Sequence, residues 1–176
     1  MTLSNRKILR TLLCLLAGTL YAVCLSACDA KEPLSENRNA EIESPVIAND
    51  LSNQKVTAIA EDTQGHIWIG TFRGLNKNNV HDYHQYFCTD DSLGLPDNQI
   101  THLLRDSKNR FWVGTVNGVC LYTDKDNFRI IPIEADNKNV RQILEDRNGR
   151  IFFNTGFQLY AYHPREEKIT CVLPGI

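Results

Sequence analysis

From residue 56 onward, apolar segments and polar turns alternate in an order that the chain repeats three times. The copies read VTAIAEDTQGHIWIGTFRGL from Val56, ITHLLRDSKNRFWVGTVNGV from Ile100 and VRQILEDRNGRIFFNTGFQL from Val140. They therefore begin 44 and 40 residues apart, a period that is found both in repeated β-sheets and in some helical repeats. The pattern inside one copy distinguishes the two.

Each copy contains a predicted hairpin turn. The first apolar segment ends at an aspartate, and a glycine or asparagine follows three residues later; the pairs are Asp62 and Gly65, Asp106 and Asn109, and Asp146 and Gly149. Aspartate at the start of a turn can accept hydrogen bonds from backbone amides, and glycine or asparagine tolerates the left-handed conformation. Two strands are therefore expected to pair across each turn.

The second strand of each copy is apolar at consecutive positions, in residues 67–69, 111–113 and 151–153. Consecutive apolar residues predict a strand covered on both faces, whereas a helical repeat would place them three and four apart. Two further strands follow in each copy, and four strands make one blade of a β-propeller. We predict an all-β fold, a partial propeller of about three antiparallel four-stranded blades at residues 51–94, 95–135 and 136–176.

The first 28 residues predict an export signal of the lipoprotein type. Arg6, Lys7 and Arg10 form a basic start, and residues 11–28 contain no charged side chain. The segment ends in LSAC, which looks like a bacterial lipobox and would place a lipid on Cys28. A cleaved soluble signal and a membrane anchor remain alternatives, although 18 residues are short for a span. Residues 29–50 are polar and aperiodic, which predicts a tether that holds the blades off a membrane.

Charge and cysteine content narrow the classes of partner and site. The formal net charge is −2, without a run of basic residues, which does not favour nucleic acid as a partner. Cys88, Cys120 and Cys171 follow the signal segment, and none has a metal-ligand spacing. They are interpreted as small buried apolar residues, with one disulfide and a spare thiol as the alternative.

The repeats resemble the two-component regulator propeller family, whose pattern is an apolar strand, D-x-x-G, W-[IV]-G-T, two variable residues and G-[LV]. Residues 62–75 match throughout, residues 106–119 match with Asn109 in place of glycine, and residues 146–159 are degenerate, with Phe152 in place of tryptophan. The link CTDDSLGLPDNQI, residues 88–100, resembles the connection between blades in the family. The resemblance covers about residues 51–173.

The resemblance implies a non-enzymatic sensing module on the periplasmic side of the membrane, part of a hybrid histidine kinase regulator that responds to carbohydrates. An oligosaccharide is the implied ligand, and no cofactor is implied. Three blades cannot close a ring of four to eight. A truncated or split gene product is therefore expected, whose open ends meet further blades or another copy of the chain. The alternative is an exported propeller enzyme of the lyase type.

The candidate binding residues lie in the turns between second and third strands, because propeller ligands usually meet that face. These turns offer Arg73, Asn117 and Phe157, whose side chains can bind and stack on a sugar. His102, on the innermost strand of the second copy, is predicted to line a channel or to be a packing histidine, and the lyase alternative uses it or His84 as base.

No catalytic residue and no metal site is predicted. The pair His81 and His84 in HDYH has metal-ligand residue types without a third ligand, and is interpreted as a solvated turn.

Overall fold

The computed structural model describes residues 45–89, 93–123 and 125–174. All of them belong to the second of two units, residues 41–176. The strands are β1 (Val46–Ala48), β2 (Val56–Glu61), β3 (Ile67–Thr71), β4 (Gly74–Asn79), β5 (Asp82–Tyr86), β6 (Ile100–Arg105), β7 (Phe111–Thr115), β8 (Gly118–Thr123), β9 (Asn127–Ile131), β10 (Val140–Glu145), β11 (Ile151–Thr155), β12 (Gln158–His163) and β13 (Lys168–Leu173). Within these described ranges no helix is long and apolar enough to cross a bilayer.

The strands form three antiparallel sheets, as predicted. Blade 1 has the order β1-β5-β4-β3-β2, blade 2 has β6-β7-β8-β9, and blade 3 has β10-β11-β12-β13. The innermost strand β6 of blade 2 lies against β2 on one side and against β10 on the other, so the blades stack in chain order. The three blades form an open array, which confirms the partial propeller.

Strand β1 was not predicted. It lies within residues 29–50, the stretch interpreted as a tether, and pairs Val46 with Gln85 and Ala48 with Tyr83 on the outer edge of β5. The chain then returns to β2, and on the way Ser52 donates its backbone N–H to the Asn76 side chain at 2.8 Å. The first blade therefore has five strands.

In each copy of the repeat, the aspartate organises the hairpin that joins the first two strands of that copy. Oδ1 of Asp106 accepts the backbone N–H of Lys108 at 3.0 Å and of Arg110 at 2.9 Å. Asn109 has the left-handed φ of +64° that the turn requires, and Gly65 and Gly149 have +84° and +75° at the equivalent positions. The predicted turn chemistry is confirmed in all three copies.

The same carboxylate holds the tryptophan of the repeat. Trp68 Nε1 donates to Oδ2 of Asp62 at 2.9 Å, and Trp112 Nε1 donates to Oδ2 of Asp106 at 2.8 Å. Blade 3 has Phe152 in place of tryptophan, and there Oδ2 of Asp146 accepts only from the Arg150 guanidinium among the described residues. The six-residue spacing from aspartate to tryptophan therefore reflects one buried hydrogen bond.

Two apolar clusters fill the spaces between neighbouring blades. Trp68 and Leu75 of blade 1 pack against Phe111 and Phe128 of blade 2, and a second cluster joins blade 2 to blade 3. Within the part of the chain that the structure describes, only the middle blade is therefore covered on both faces, and all five residues of β7 are buried.

The prediction that all three second strands are covered on both faces is wrong for the outer blades. Ile67 of β3 is 39% exposed and Phe152 of β11 is partly exposed. Ile59 of blade 1 is 66% exposed, whereas Leu103, at the equivalent position of blade 2, is 6% exposed. The physical reason is that each outer blade has a neighbour on one side only.

Glycine at the fourth of five positions in the second strand lets the inner strand of the next blade approach closely. A Cβ added to Gly70 would lie 2.5 Å from Cγ2 of Ile100, and one added to Gly114 would lie 3.0 Å from Cγ1 of Val140. Blade 3 has Asn154 at this position. No fourth inner strand packs against that residue in the described part of the chain, so a larger side chain fits.

The cysteines differ from the prediction. Cys120 is buried in the cluster between blades 1 and 2, but Cys88 and Cys171 are exposed. The interpretation of all three as buried apolar residues is therefore wrong for two of them. No disulfide joins any two of these cysteines, so the disulfide alternative is wrong as well. Cys171 lies on β13, the outermost strand of blade 3.

Candidate ligand-binding site

The predicted binding residues occupy equivalent turns at one end of the three sheets. Arg73 lies between β3 and β4, Asn117 between β7 and β8, and Phe157 between β11 and β12. All three side chains are exposed, and Phe157 is 87% exposed. Each blade therefore presents one of these residues at the same end of the array.

Threonine and glycine fix the first two of these turns. Thr71 Oγ1 donates to the backbone oxygen of Gly74 at 2.8 Å and accepts the backbone N–H of Arg73 at 3.2 Å. Thr115 makes the same two hydrogen bonds in blade 2. Gly74 has a φ of +131°, a conformation that favours glycine. The backbone under Arg73 is therefore rigid, while the side chain extends into solvent.

The third turn has a different backbone conformation. Gln158 stands where the other blades have Gly74 and Gly118, and the positive φ of +60° moves to Gly156. This change follows from the side chain, because glutamine does not readily adopt the left-handed region. Phe157 consequently occupies the second position of a two-residue turn that begins with glycine.

The link between blades 1 and 2 holds the first two of these turns in place. The backbone N–H of Gly74 donates to the oxygen of Asn98 at 2.7 Å, and Asn117 Nδ2 donates to the oxygen of Pro96 at 3.5 Å. Lys55 Nζ lies 3.7 Å from the centroid of the Phe72 ring, next to Arg73. The Asn117 amide is therefore partly engaged within the protein, whereas Arg73 has its charged group available to solvent.

His102 lies apart from the turns, on the innermost strand of blade 2 as predicted. It pairs with Gly114 across β6 and β7 and is half-buried. Burial lowers the pKa of the imidazole, and a hydrogen bond with the backbone of Ile143 opposes that shift only in part. The imidazole is therefore neutral at neutral pH and packs against the inner strand of blade 3.

The histidines of HDYH do not form a metal site with other described side chains. His81 is exposed in the turn after β4, and His84 lies within β5. No group of three or more histidine, cysteine, aspartate or glutamate side chains comes together in residues 45–89, 93–123 and 125–174. Cys28, the predicted lipidation site, lies outside the described residues.

A groove of about 690 Å³ between the outer strands of blades 2 and 3 was not predicted from the sequence. Its floor contains Tyr160, Tyr162 and Ile169, and its rim contains Arg129 and Glu167, whose charged groups lie 3.5 Å apart. None of the four predicted binding residues lines it. The volume is in the range of small-molecule sites.

The groove exists because the second link is shorter than the first. Thirteen residues, 87–99, join β5 to β6, whereas eight residues, 132–139, join β9 to β10. The longer link places Leu95 in the core between blades 1 and 2, and the backbone oxygen of Leu93 accepts the N–H of Phe128 at 2.8 Å. The shorter link places Ile133 in the second core, with the partly buried Ala135 packed against it. The sequence signal that could have indicated the groove is the difference between the two repeat lengths, 44 and 40 residues.

Comparison with known proteins identifies the repeats. The model of the two-component regulator propeller matches residues 50–73 and 94–117. The extracellular domain of a hybrid two-component system from B. thetaiotaomicron is 26% identical, with a TM-score of 0.60, over 68% of this chain and 17% of that chain. A second such domain from B. thetaiotaomicron is 24% identical, with a TM-score of 0.60, over 72% of this chain and 18% of that chain.

Other comparisons show the fold alone. Virginiamycin B lyase from Staphylococcus aureus is 21% identical, with a TM-score of 0.55, over 74% of this chain and 45% of that chain. No curated protein matches this sequence significantly. The chain spans about one sixth of the length of the two B. thetaiotaomicron domains. Residues 50–73 and 94–117, which contain the first two strands of the repeat in blades 1 and 2, match the two-component regulator propeller, and the array has the fold found in extracellular domains of hybrid two-component systems.

Proposed function

We propose that this chain is a ligand-binding module of an exported, membrane-associated sensor, and that it acts by binding and not by catalysis. The observation that carries the proposal is the match of two in-phase repeats to the two-component regulator propeller. It is supported by 26% identity to the extracellular domain of a hybrid two-component system. In this role the blades hold a ligand outside the cytoplasm, and the signal passes to a kinase.

The ligand class that we propose is an oligosaccharide. Arg73 supplies hydrogen-bond donors for sugar hydroxyls, Asn117 supplies an amide, and Phe157 supplies a ring on which a sugar face can stack. All three are exposed at the same end of the array, and hydrogen bonds of Thr71 and Thr115 hold the turns that carry Arg73 and Asn117. Rigid turns reduce the entropy lost on binding.

The test is a calorimetric titration of the purified chain with a panel of neutral oligosaccharides. Saturable binding that Phe157→Ala and Arg73→Ala each weaken by about tenfold supports the site. Lys108→Ala is the matched control, because Lys108 is also exposed in a turn but lies at the opposite end of blade 2. Equal weakening by the control, or no binding to any member of the panel, contradicts the proposal.

A lyase is the second candidate, and the neutral half-buried imidazole of His102 is the observation that favours it. Its support from related structures is limited to fold, at 21% identity. The same titrations separate the two functions. Turnover that disappears in His102→Gln, with a pH-rate profile that follows one basic group, favours the lyase. Saturable binding without turnover favours the sensor.

We also propose that a lipid on Cys28 anchors the chain. The basic start, the uncharged segment and LSAC support this proposal. Radiolabelled palmitate should enter the wild-type chain in a bacterial host and should be absent from Cys28→Ala. Equal labelling of both proteins contradicts lipidation and leaves a cleaved signal or a membrane anchor.

A further inference from the structure

A second groove, of about 250 Å³, lies between blades 1 and 2 at the hairpin end, opposite to the turns that carry Arg73 and Asn117. Three basic side chains from three different elements line it: Lys77 from β4, Arg105 from the end of β6, and Lys125 from the turn before β9. Gln64 and Asn109 add two side-chain amides. The lining therefore combines three cationic groups with one carboxylate, Asp62, and with neutral hydrogen-bonding groups.

None of the three cations forms an ion pair with a carboxylate in the described part of the chain. Arg105 contacts only the backbone oxygen of Asp62, at 3.4 Å, among its described hydrogen-bond partners. Lys77 Nζ lies 5.3 Å from the Trp68 ring centroid and 5.7 Å from that of Tyr122. The rings fix the position of this ammonium group but do not neutralise it.

The neighbouring carboxylates are already engaged. Oδ2 of Asp62 accepts from Trp68 at 2.9 Å, and Oδ1 accepts two backbone amides. Oδ1 of Asp126 accepts the hydroxyl groups of Tyr86 at 2.6 Å and Tyr122 at 2.9 Å. Lys77 and His84 lie close enough to Asp126 to act on it electrostatically. Among the described residues, Asp62 and Asp126 therefore already have other hydrogen-bond donors, and Asp62 also lies 3.1 Å from Nδ1 of His66.

The gap between blades 2 and 3 shows that packing does not require these charges. Trp68 pairs with Lys77, and Trp112 pairs with Leu121, so leucine occupies the lysine position in the next blade. Arg105 pairs with Phe111 in blade 2. At the equivalent position of blade 3, Glu145 pairs with Ile151, so a glutamate replaces the arginine. The same architecture is thus built with an apolar and an acidic residue. Like charges gathered without need cost stability, and a bound anion removes that cost.

We propose that the groove lined by Lys77, Arg105 and Lys125 binds the oxyanion group of a small ligand, a carboxylate, sulfate or phosphate. Arginine supplies a planar pair of donors for such a group, and the two lysines supply point charges on either side. Gln64 and Asn109 contact the neutral part of the ligand. The site lies apart from the proposed sugar-binding turns and does not depend on them.

The experiment titrates the full chain with glucuronate, glucose 6-sulfate, glucose 6-phosphate and uncharged glucose at low ionic strength, with binding followed by NMR. We expect saturable binding of at least one charged sugar, no binding of glucose, and weaker binding as salt increases. The three charged probes distinguish the carboxylate, sulfate and phosphate sources. Absence of binding by all three at about 10 mM overturns the proposal.

Two variants with a matched control locate the site. Arg105→Gln and Lys77→Gln should each reduce affinity by about tenfold, because each removes one charge from the groove. Lys108→Gln, the control, removes an exposed lysine that lies outside the groove and should bind the anion as the wild type does. An unchanged melting temperature of Arg105→Gln shows that loss of binding is not loss of fold. Undiminished binding in both groove variants overturns the assignment.

Discussion

The indole Nε1 of Trp112 donates a hydrogen bond to Oδ2 of Asp106 at 2.8 Å, where both side chains are buried. This contact joins the hairpin turn of blade 2 to the cluster that packs blade 2 against blade 3. The aspartate, which indicates a turn in the sequence, and the tryptophan, which indicates a core residue, are thus the two partners of one hydrogen bond. It recurs in blade 1 between Asp62 and Trp68.

We predict that Asp106→Ala destabilises the chain by about 2–4 kcal/mol. The substitution leaves the buried indole N–H of Trp112 and the hairpin amides without their acceptor, and unsatisfied buried donors are costly. Urea unfolding followed by tryptophan fluorescence measures the change. Asp146→Ala is the matched control, because blade 3 has Phe152 and no indole at this position, and it should lose less stability. An equal loss in the two variants contradicts the role of the indole.

Stability should fall in acid as the repeated aspartates become protonated. Burial opposes ionisation of Asp106, but hydrogen bonds from Trp112 and Arg110 and the Arg110 charge outweigh it, so the pKa of this carboxyl is below its ordinary value. A depressed pKa stabilises the folded state above the unfolded pKa, about 3.9, and this stabilisation is lost as pH falls through the folded pKa. The free energy of unfolding should therefore decrease between about pH 5 and pH 2.

A variant isolates the contribution of one aspartate to this pH dependence. Asp106→Asn keeps the shape and should flatten the decrease below about pH 4. Burial also lowers the pKa of His102, so protonation of this imidazole reduces stability at a higher pH, below about pH 6.5. The contributions of His102 and Asp106 to the pH dependence can therefore be separated. An identical acid profile in Asp106→Asn and wild type contradicts the predicted stabilisation.

We predict that Gly70→Ala costs about 1–3 kcal/mol, because overpacking strains a closely packed interior. The added methyl would meet Ile100 on the inner strand of blade 2, at 2.5 Å. Gly114→Ala should cost less, because its nearest contact is 3.0 Å to Val140. The same change in unfolding free energy for both variants would show that backbone conformation, and not the approach of the next blade, governs these positions.

The exposed faces of the outer blades should make the chain self-associate or bind a hydrophobic dye, since further blades or a second copy are their proposed partners. Ile59 is 66% exposed on blade 1 and Leu144 is 57% exposed on blade 3. The double variant Ile59→Lys, Leu144→Lys should reduce dye binding and sedimentation of oligomers without lowering the melting temperature. A wild-type chain that sediments as a clean monomer and binds no dye contradicts this prediction.

Much of the fold could be predicted because the signals are local. The aspartate-to-glycine spacing defined the hairpins, and β3, β7 and β11 lie where consecutive apolar residues indicated strands. The exposure of Ile67 and Ile59 could not be read from their own positions, because burial depends on whether a neighbouring blade is present. Strand β1 pairs with a strand more than thirty residues away and contains only three residues, too few for a periodic pattern.

The candidate site was predicted less completely than the fold. Arg73, Asn117 and Phe157 lie in turns, as expected, because turn position follows directly from the hairpins. The two grooves depend on differences between copies, such as the length of the link between blades and Lys77 against Leu121, which a search for similarity overlooks. A position-by-position comparison of the copies would have shown both.

Native-state hydrogen exchange is a direct test of whether stacking between blades stabilises this chain. Strand β7 is buried on both faces, whereas β3 and β11 each lack a neighbour on one side. We predict that the amides of β7 exchange slowest, at the rate of global unfolding, and that those of β3 and β11 exchange faster through local opening. Equal protection of the three strands, or greatest protection in β3 or β11, would contradict the account.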